Sequence, residues 1–352
     1  FIMGTMIIGR IDQFGLGYAL YRWTAHVEKL PFPMAPAGAL GITALAEAQD
    51  RSERWRWRCF SLGAVLGLGF GFIYVGVPAI SGVLLGQSIE IIPLPWIDFT
   101  KTVSTREFMP AVPLNLVFDV TFIILGMVLP FWAVVGGVVG LVITWVLNPV
   151  LQRNGMLPSW EPGMGLVDTV FSNTIDFYLS FSIGLALAIF LASIAPIILM
   201  LYKSAFGKKK EQTEAEQELR RDWRLALREL MTRNRERGDI SIVIALSIYV
   251  CSSIGYILIC LWLMPGTEQM EYRDRFPWLF FLGFACIYQP IISYTSAKLE
   301  GMVGQFVTIP LVREAAFILS GYKGAAIWFA PIPINDYGRA TQHFRVLELT
   351  GT

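Results

Sequence analysis

PAVPLNLVFDVTFIILGMVLPFWAVVGGVVGLVITWVLNPVL, residues 110–151, is the stretch on which the fold turns. Between Glu107 and Arg153 it carries one ionisable side chain, Asp119. At ~1.5 Å of rise per helical residue it is long enough to cross a hydrocarbon core of ~30 Å twice. A lone carboxylate in such a run is costly in lipid, so it is expected to face protein or water, and by default to mark a functional site.

The rest of the chain agrees. Of its 352 residues, 55% are hydrophobic and 16% charged, against about 25% charged in a soluble protein. This is the composition of an all-α, polytopic transmembrane protein. A net charge of +1 argues against a nucleic-acid partner. Cys59, Cys251, Cys260 and Cys286 lie scattered in apolar runs with no CxxC spacing, and are expected to be small buried hydrophobes. With only His26 and His343, haem ligation, histidine-based zinc catalysis and a Ser-His-Asp triad are poorly supported, and no cofactor or resident metal is expected. No GxSxG, HExxH or P-loop occurs, so the chain does not read as an enzyme. The chain opens at Phe1 inside an apolar segment and closes at Thr352 without a clear stop, which reads as part of a longer protein.

Six spans are expected: Cys59–Leu85, Val112–Leu129, Phe131–Leu151, Phe177–Tyr202, Ile240–Met264 and Pro277–Ser296. Pro130 alone separates the second from the third, which gives a tight hairpin or a broken helix. Asn148-Pro149 is expected to unwind the end of the third span. After Ser296 the apolar stretches Phe306–Leu319 and Ala325–Ile334 are short and interrupted by charge and proline, a pattern of re-entrant or broken elements lining a cavity.

Residues 203–239 are different, with 11 Lys/Arg and 8 Asp/Glu. They divide the chain into a first membrane part (1–202), a charged helical loop (203–239) and a second membrane part with the broken elements (240–352). Basic segments favour the cytoplasmic side. This puts the loop there, together with Arg51, Arg54, Arg56 and Arg58, and the span count agrees only if Pro130 is a cytoplasmic turn.

The chemistry-bearing candidates are the polar groups at membrane depth. Asp119, Glu300, Glu314 and Asp176 are the carboxylates available for proton coupling. For Asp119 the structural alternative is satisfaction by Asn115 or Thr121, and for Asp176 it is a favourable site at a helix N-terminus. Tyr294, Lys298, Gln305, Arg313, Tyr322 and Lys323 are candidate substrate contacts. Arg313-Glu314 equally suits a structural ion pair, and Ser320-Gly-Tyr322-Lys323-Gly324 a bend where backbone approaches a ligand.

Several segments resemble the oligopeptide transporter superfamily, which includes the metal-chelate carriers. Lys29-Leu-Pro-Phe-Pro33 is similar to its Leu-Pro-Phe-Pro segment, and Leu125–Trp132 with Asn148-Pro149 to its Gly-rich hairpin. Ser159–Met164, Asp176–Gly184, Ser293-Tyr294, Leu299–Gly301, Ser320–Gly324 and Trp328–Pro333 resemble a bacterial peptide-transporter-like branch of unknown function. The resemblance implies a secondary carrier coupled to protons, moving peptides or chelates by alternating access; its expected place is the cytoplasmic membrane, as a multi-pass protein, with a homo-oligomer or a larger membrane complex among the expected partners. The rival reading is a non-transporting scaffold or accessory subunit.

Overall fold

The computed structural model describes residues 2–46, 54–206, 238–263, 276–322, 324–330 and 335–351, with 228, 230 and 231. Most of the charged loop 203–239 lies outside these residues. The described residues are predominantly helical. The sheet among them is one antiparallel pair, β1 (Ile97–Asp98) with β2 (Asn115–Leu116).

In chain order the main helices are α1 (Ile2–Arg22), α2 (Ala35–Ala46), α3 (Trp55–Leu85), α4 (Val120–Val128) and α5 (Phe131–Arg153). They continue with α6 (Leu166–Ala195), α7 (Ile242–Leu263), α8 (Trp278–Val303), α9 (Val312–Leu319) and α10 (Ala340–Thr350). Five of them, α3, α5, α6, α7 and α8, are long and apolar enough to cross a membrane, and they match five of the six expected spans.

The sixth, Val112–Leu129, is corrected. Its helical part is α4, nine residues long, which reaches only ~14 Å. Pro113 and the β2 pairing hold the residues before it in extended backbone. Pro130 does break the chain, as the N-cap of α5. Asn148-Pro149 does not unwind α5, which runs on to Arg153. The cysteine expectation holds for Cys260 alone, since Cys59, Cys251 and Cys286 are on outward faces.

Two compact units are present, residues 1–36 with 183–352, and residues 37–182. The core of the first is α1 packed along α7, with α8 and α10 beside it. Small residues make this packing close. A Cβ on Gly15 would lie 2.8 Å from the Tyr249 nitrogen, and one on Gly17 would lie 2.6 Å from the Ala340 Cβ. At the end of α1, buried Arg22 donates to the Ile240 carbonyl at 3.2 Å and pairs with Asp239 at 3.4 Å, which pins the start of α7.

Two spans continue through a proline. Pro78 in α3 and Pro290 in α8 each follow a five-residue π-turn by two positions, Phe72–Gly76 and Phe284–Tyr288. The wider turn relieves the clash of the proline ring with the preceding turn. In α8 a carbonyl of that turn, Ala285, accepts the Tyr249 hydroxyl.

In the second unit, Asn148 and Asn173 both donate amide N–H to the carbonyl of buried Ala111, at 3.0 and 2.7 Å. Ala111 has φ +60°, and these two bonds help to hold it there.

Candidate functional site

The polar groups of the first unit converge on α8. Of its 18-residue membrane window 44% is buried, against 6% for α3, yet Gln289, Ser293, Tyr294, Thr295, Ser296 and Glu300 are all buried on it. Polar groups buried on a membrane-length helix make α8 the candidate site. Three segments meet it. Phe32 donates its N–H to the Gly301 carbonyl at 2.8 Å, and a Cβ on Gly301 would lie 2.7 Å from Leu30. Tyr337 donates its N–H to Ser293 Oγ at 2.9 Å, and Ser296 donates its hydroxyl to the Val307 carbonyl at 3.1 Å. The Leu-Pro-Phe-Pro segment and Leu299–Gly301 are therefore neighbours in space. Lys29, Phe32 and Leu311 carry positive φ around this helix, the kind of strain that collects at working sites.

Tyr294 and Lys298 come together on Glu28, a residue not singled out from the sequence. Glu28 accepts the Tyr294 hydroxyl and the Trp23 Nε1–H, the latter at 2.9 Å, and lies 4.0 Å from Lys298 Nζ. Lys298 also donates to the Ser193 carbonyl at 3.4 Å. Glu300 is 7% exposed, its Oε2 has no hydrogen-bond partner among the described residues, and it interacts electrostatically with Arg339 and Asp336.

Beside α8 lies a cavity of about 330 Å³, lined by Tyr288, Thr308, Arg313, Asn335 and Asp336 among others. It holds one cation and one anion. Arg313 donates to the Trp328 carbonyl at 3.0 Å and lies over the Phe317 ring, so these are its anchors in place of a Glu314 pair. Asp336 accepts the Gly338 N–H at 2.8 Å through Oδ1, and its Oδ2 is buried without a partner among the described residues.

A second buried acid, Asp12, lies in α1. It is fully buried and meets Ser252 of α7 and Tyr337. Sequence reading passed over it because α1 looked like the tail of an apolar segment. The signal available was an aspartate spaced from Arg10 and Arg22 by otherwise helix-compatible residues.

The remaining candidates stand apart. Asp119 is the N-cap of α4, accepting the Thr121 N–H at 2.8 Å. The Thr121 hydrogen bonds hold its carboxyl below the usual range. It lies outside the five long spans, and the local Thr121 alternative is the one observed. Asp176 is not at a helix start. It lies inside α6 and accepts both the N–H and the hydroxyl of Ser159, each at 2.8 Å. Glu314 is half-buried in the first turn of α9, and Gln305 is exposed just after α8. Tyr322 packs on the cluster of Cys260, Phe281, Phe317 and Ile327. A Cβ on Gly324 would lie 2.5 Å from the Tyr322 ring, so that bend makes room for the protein's own side chain. Lys323 lies outside the described residues. Among the described residues no group of three His, Cys, Asp or Glu is placed to hold a metal.

No curated protein and no solved structure matches the chain. The model of one family, the OPT oligopeptide transporter protein, matches residues 6–330, which include most of α1, the α8 face and the cavity wall as far as Ala330, while Asn335 and Asp336 lie beyond the match. Five membrane-length helices and a family match over most of the chain lead to one statement: the chain belongs to the OPT oligopeptide transporter family.

Proposed function

We propose that this membrane oligopeptide transporter carries short peptides across the cytoplasmic membrane in symport with protons, and binds them in the cavity beside α8. The observation that carries the reading is the pair of opposite charges lining that cavity, Arg313 and Asp336. A peptide with free ends is a zwitterion. Its ammonium group suits Asp336 Oδ2, and its carboxylate suits the guanidinium of Arg313. At about 330 Å³ the cavity is at the small end of ligand sites, roughly 300–1,000 Å³.

Of the four carboxylates singled out from the sequence, Glu300 is the coupling residue in this reading. It is buried, has an oxygen free to exchange a proton, and is electrostatically linked to Asp336. Tyr294 and Lys298 set the position of α8 through Glu28. The charged loop 203–239 faces the cytoplasm, and lipid surrounds α3 and α5.

Uptake into proteoliposomes under a pH gradient tests the site. A terminal charge pairing is worth about 1.5–3 kcal/mol, so losing it costs roughly tenfold or more. Acetylating the N-terminus or amidating the C-terminus of a peptide pool should each slow uptake by about that factor. In Asp336→Asn the first modification should no longer matter, and in Arg313→Gln the second should no longer matter. Blocked peptides moving as fast as free ones would rule out this cavity. Constant co-purification with fixed partners, without peptide binding, would replace the carrier with the scaffold reading.

A further inference from the structure

The buried acid of α1 raises a question of donor count. Ser252 Oγ is within hydrogen-bond reach of two acceptors, Asp12 Oδ1 and, at 2.9 Å, the Tyr249 carbonyl. A serine hydroxyl has one proton to give. If it goes to Tyr249, the Asp12–Ser252 contact needs a proton on Asp12. A neutral acid satisfies every group: Asp12 donates to Ser252, Ser252 donates to Tyr249, and the Tyr337 hydroxyl donates to Asp12 Oδ2 at 3.4 Å.

The surroundings agree. Asp12 is fully buried, and an unpaired carboxylate there is costly. Of the titratable groups on the elements packed against α1, Tyr249 and Tyr256 of α7 interact with it electrostatically, as does Tyr337. Among the described residues no cationic side chain pairs with it. Tyr256 and Tyr337 both bring their hydroxyls against Gly9, one turn before Asp12.

Tyr337 connects this acid to the cavity. The residues before it, Asn335 and Asp336, line the cavity wall, and the Asn335 amide donates to the Tyr337 hydroxyl at 3.4 Å. We propose that Asp12 is a proton-binding site of the carrier, distinct from Glu300, and that Tyr337 transmits its protonation state to the cavity. On deprotonation the O–H bond breaks, the electron pair stays on Oδ1 and the proton leaves to water. Ser252 must then turn from Tyr249 to the carboxylate, and the Tyr337 bond becomes charge-assisted and shorter. Tyr337 is drawn toward α1, and Asp336 with it. The link to transport rests on the carrier reading above, while the proton site itself does not.

Infrared difference spectroscopy of the purified protein separates the two. A neutral aspartic acid has a carbonyl stretch that its carboxylate lacks. A component of that band is expected in the wild type at mildly acidic pH, lost in Asp12→Asn and retained in Glu300→Gln. Asparagine can donate to Ser252 and accept from Tyr337 as the acid does, so this variant should fold with unchanged thermal stability. An unaltered band in Asp12→Asn overturns the proton site. Adding a dipeptide pool should shift the pH at which the band disappears in the wild type but not in Tyr337→Phe. An equal shift in Tyr337→Phe overturns the transmission. No shift in a wild type that still takes up peptide overturns the coupling. A wild type that neither binds nor moves peptide counts against the carrier reading, and the band then still reports on Asp12.

Discussion

At the scale of single residues, close contacts and hydrogen bonds make the sharpest predictions. A Cβ on Gly338 would lie 2.5 Å from both the Ala297 nitrogen and the Ser293 carbonyl oxygen, which are backbone atoms of α8 that cannot move aside. Gly338→Ala should therefore destabilise the protein by about 1–3 kcal/mol or more, read as a fall in the thermal midpoint in detergent. Gly63→Ala has nothing within 4 Å and should leave the midpoint unchanged. Asp98 gives a pH prediction. Burial opposes its ionisation, but hydrogen bonds from Leu166 and Thr100 outweigh it and hold the carboxyl below the usual range. A depressed carboxyl stabilises above the ordinary aspartate value, ~3.9, and its contribution is lost as the pH falls through its own lower value. Amide exchange at Thr100 and Leu166 should lose protection in that acid window, and Asp98→Asn should remove the pH dependence. Asp119 belongs at this scale too. Asn caps a helix as well as Asp does, so Asp119→Asn should keep α4 intact and leave gradient-driven uptake unchanged. A large loss of uptake would return Asp119 to the coupling role.

Among the elements, what could be read from sequence was absence of charge. α3, α5, α6, α7 and α8 each contain an uncharged run about as long as a bilayer core is thick, with any charged residues confined to one end, and their places followed from that. Two elements departed from the rule for opposite reasons. α1 carries Arg10, Asp12 and Arg22 and owes its place to glycine contacts and buried polar bonds, neither of which affects hydropathy. Val112–Leu129 has the hydropathy but not the length of helix, because extended backbone occupies half of it. The expected span Pro277–Ser296 runs through Pro290, and a π-turn and Tyr249 carry α8 past it. Tyr249→Phe leaves the Ala285 carbonyl short of a partner and should cost about 1–3 kcal/mol. Topology follows from the same correction. Three long spans, α3, α5 and α6, separate Arg54 from Lys203, and three is odd. Both basic clusters share the cytoplasmic side, as their charge favours, only if residues 112–128 also cross. Single cysteines at Arg54 and Lys209, in a cysteine-free background, should label from the same side of oriented vesicles. Labelling from opposite sides would show that α4 turns back.

For the whole molecule, function depends on groups that hydropathy cannot relate to one another. Tyr294, Lys298, Glu300 and Arg313 were visible as polar residues near apolar runs. That the first two meet Glu28, and that Arg313 shares a cavity with Asp336, follows from contacts between segments some 20 to 270 positions apart in sequence. Glu28 and Asp12 escaped notice for the same reason, since each acquires its meaning from a distant partner. The cavity carries a consequence for substrate size. Its volume of about 330 Å³ is near the lower bound for ligand sites, and in the proposed peptide site its two charges hold both ends of the substrate. A peptide that spans them has little room to grow in the middle. Competition for uptake should therefore fall steeply with length, with peptides of two or three residues competing best and those of eight or more competing at least tenfold less well. Equal competition by long peptides would mean that only one terminus is held and that the remainder of the substrate lies outside this cavity.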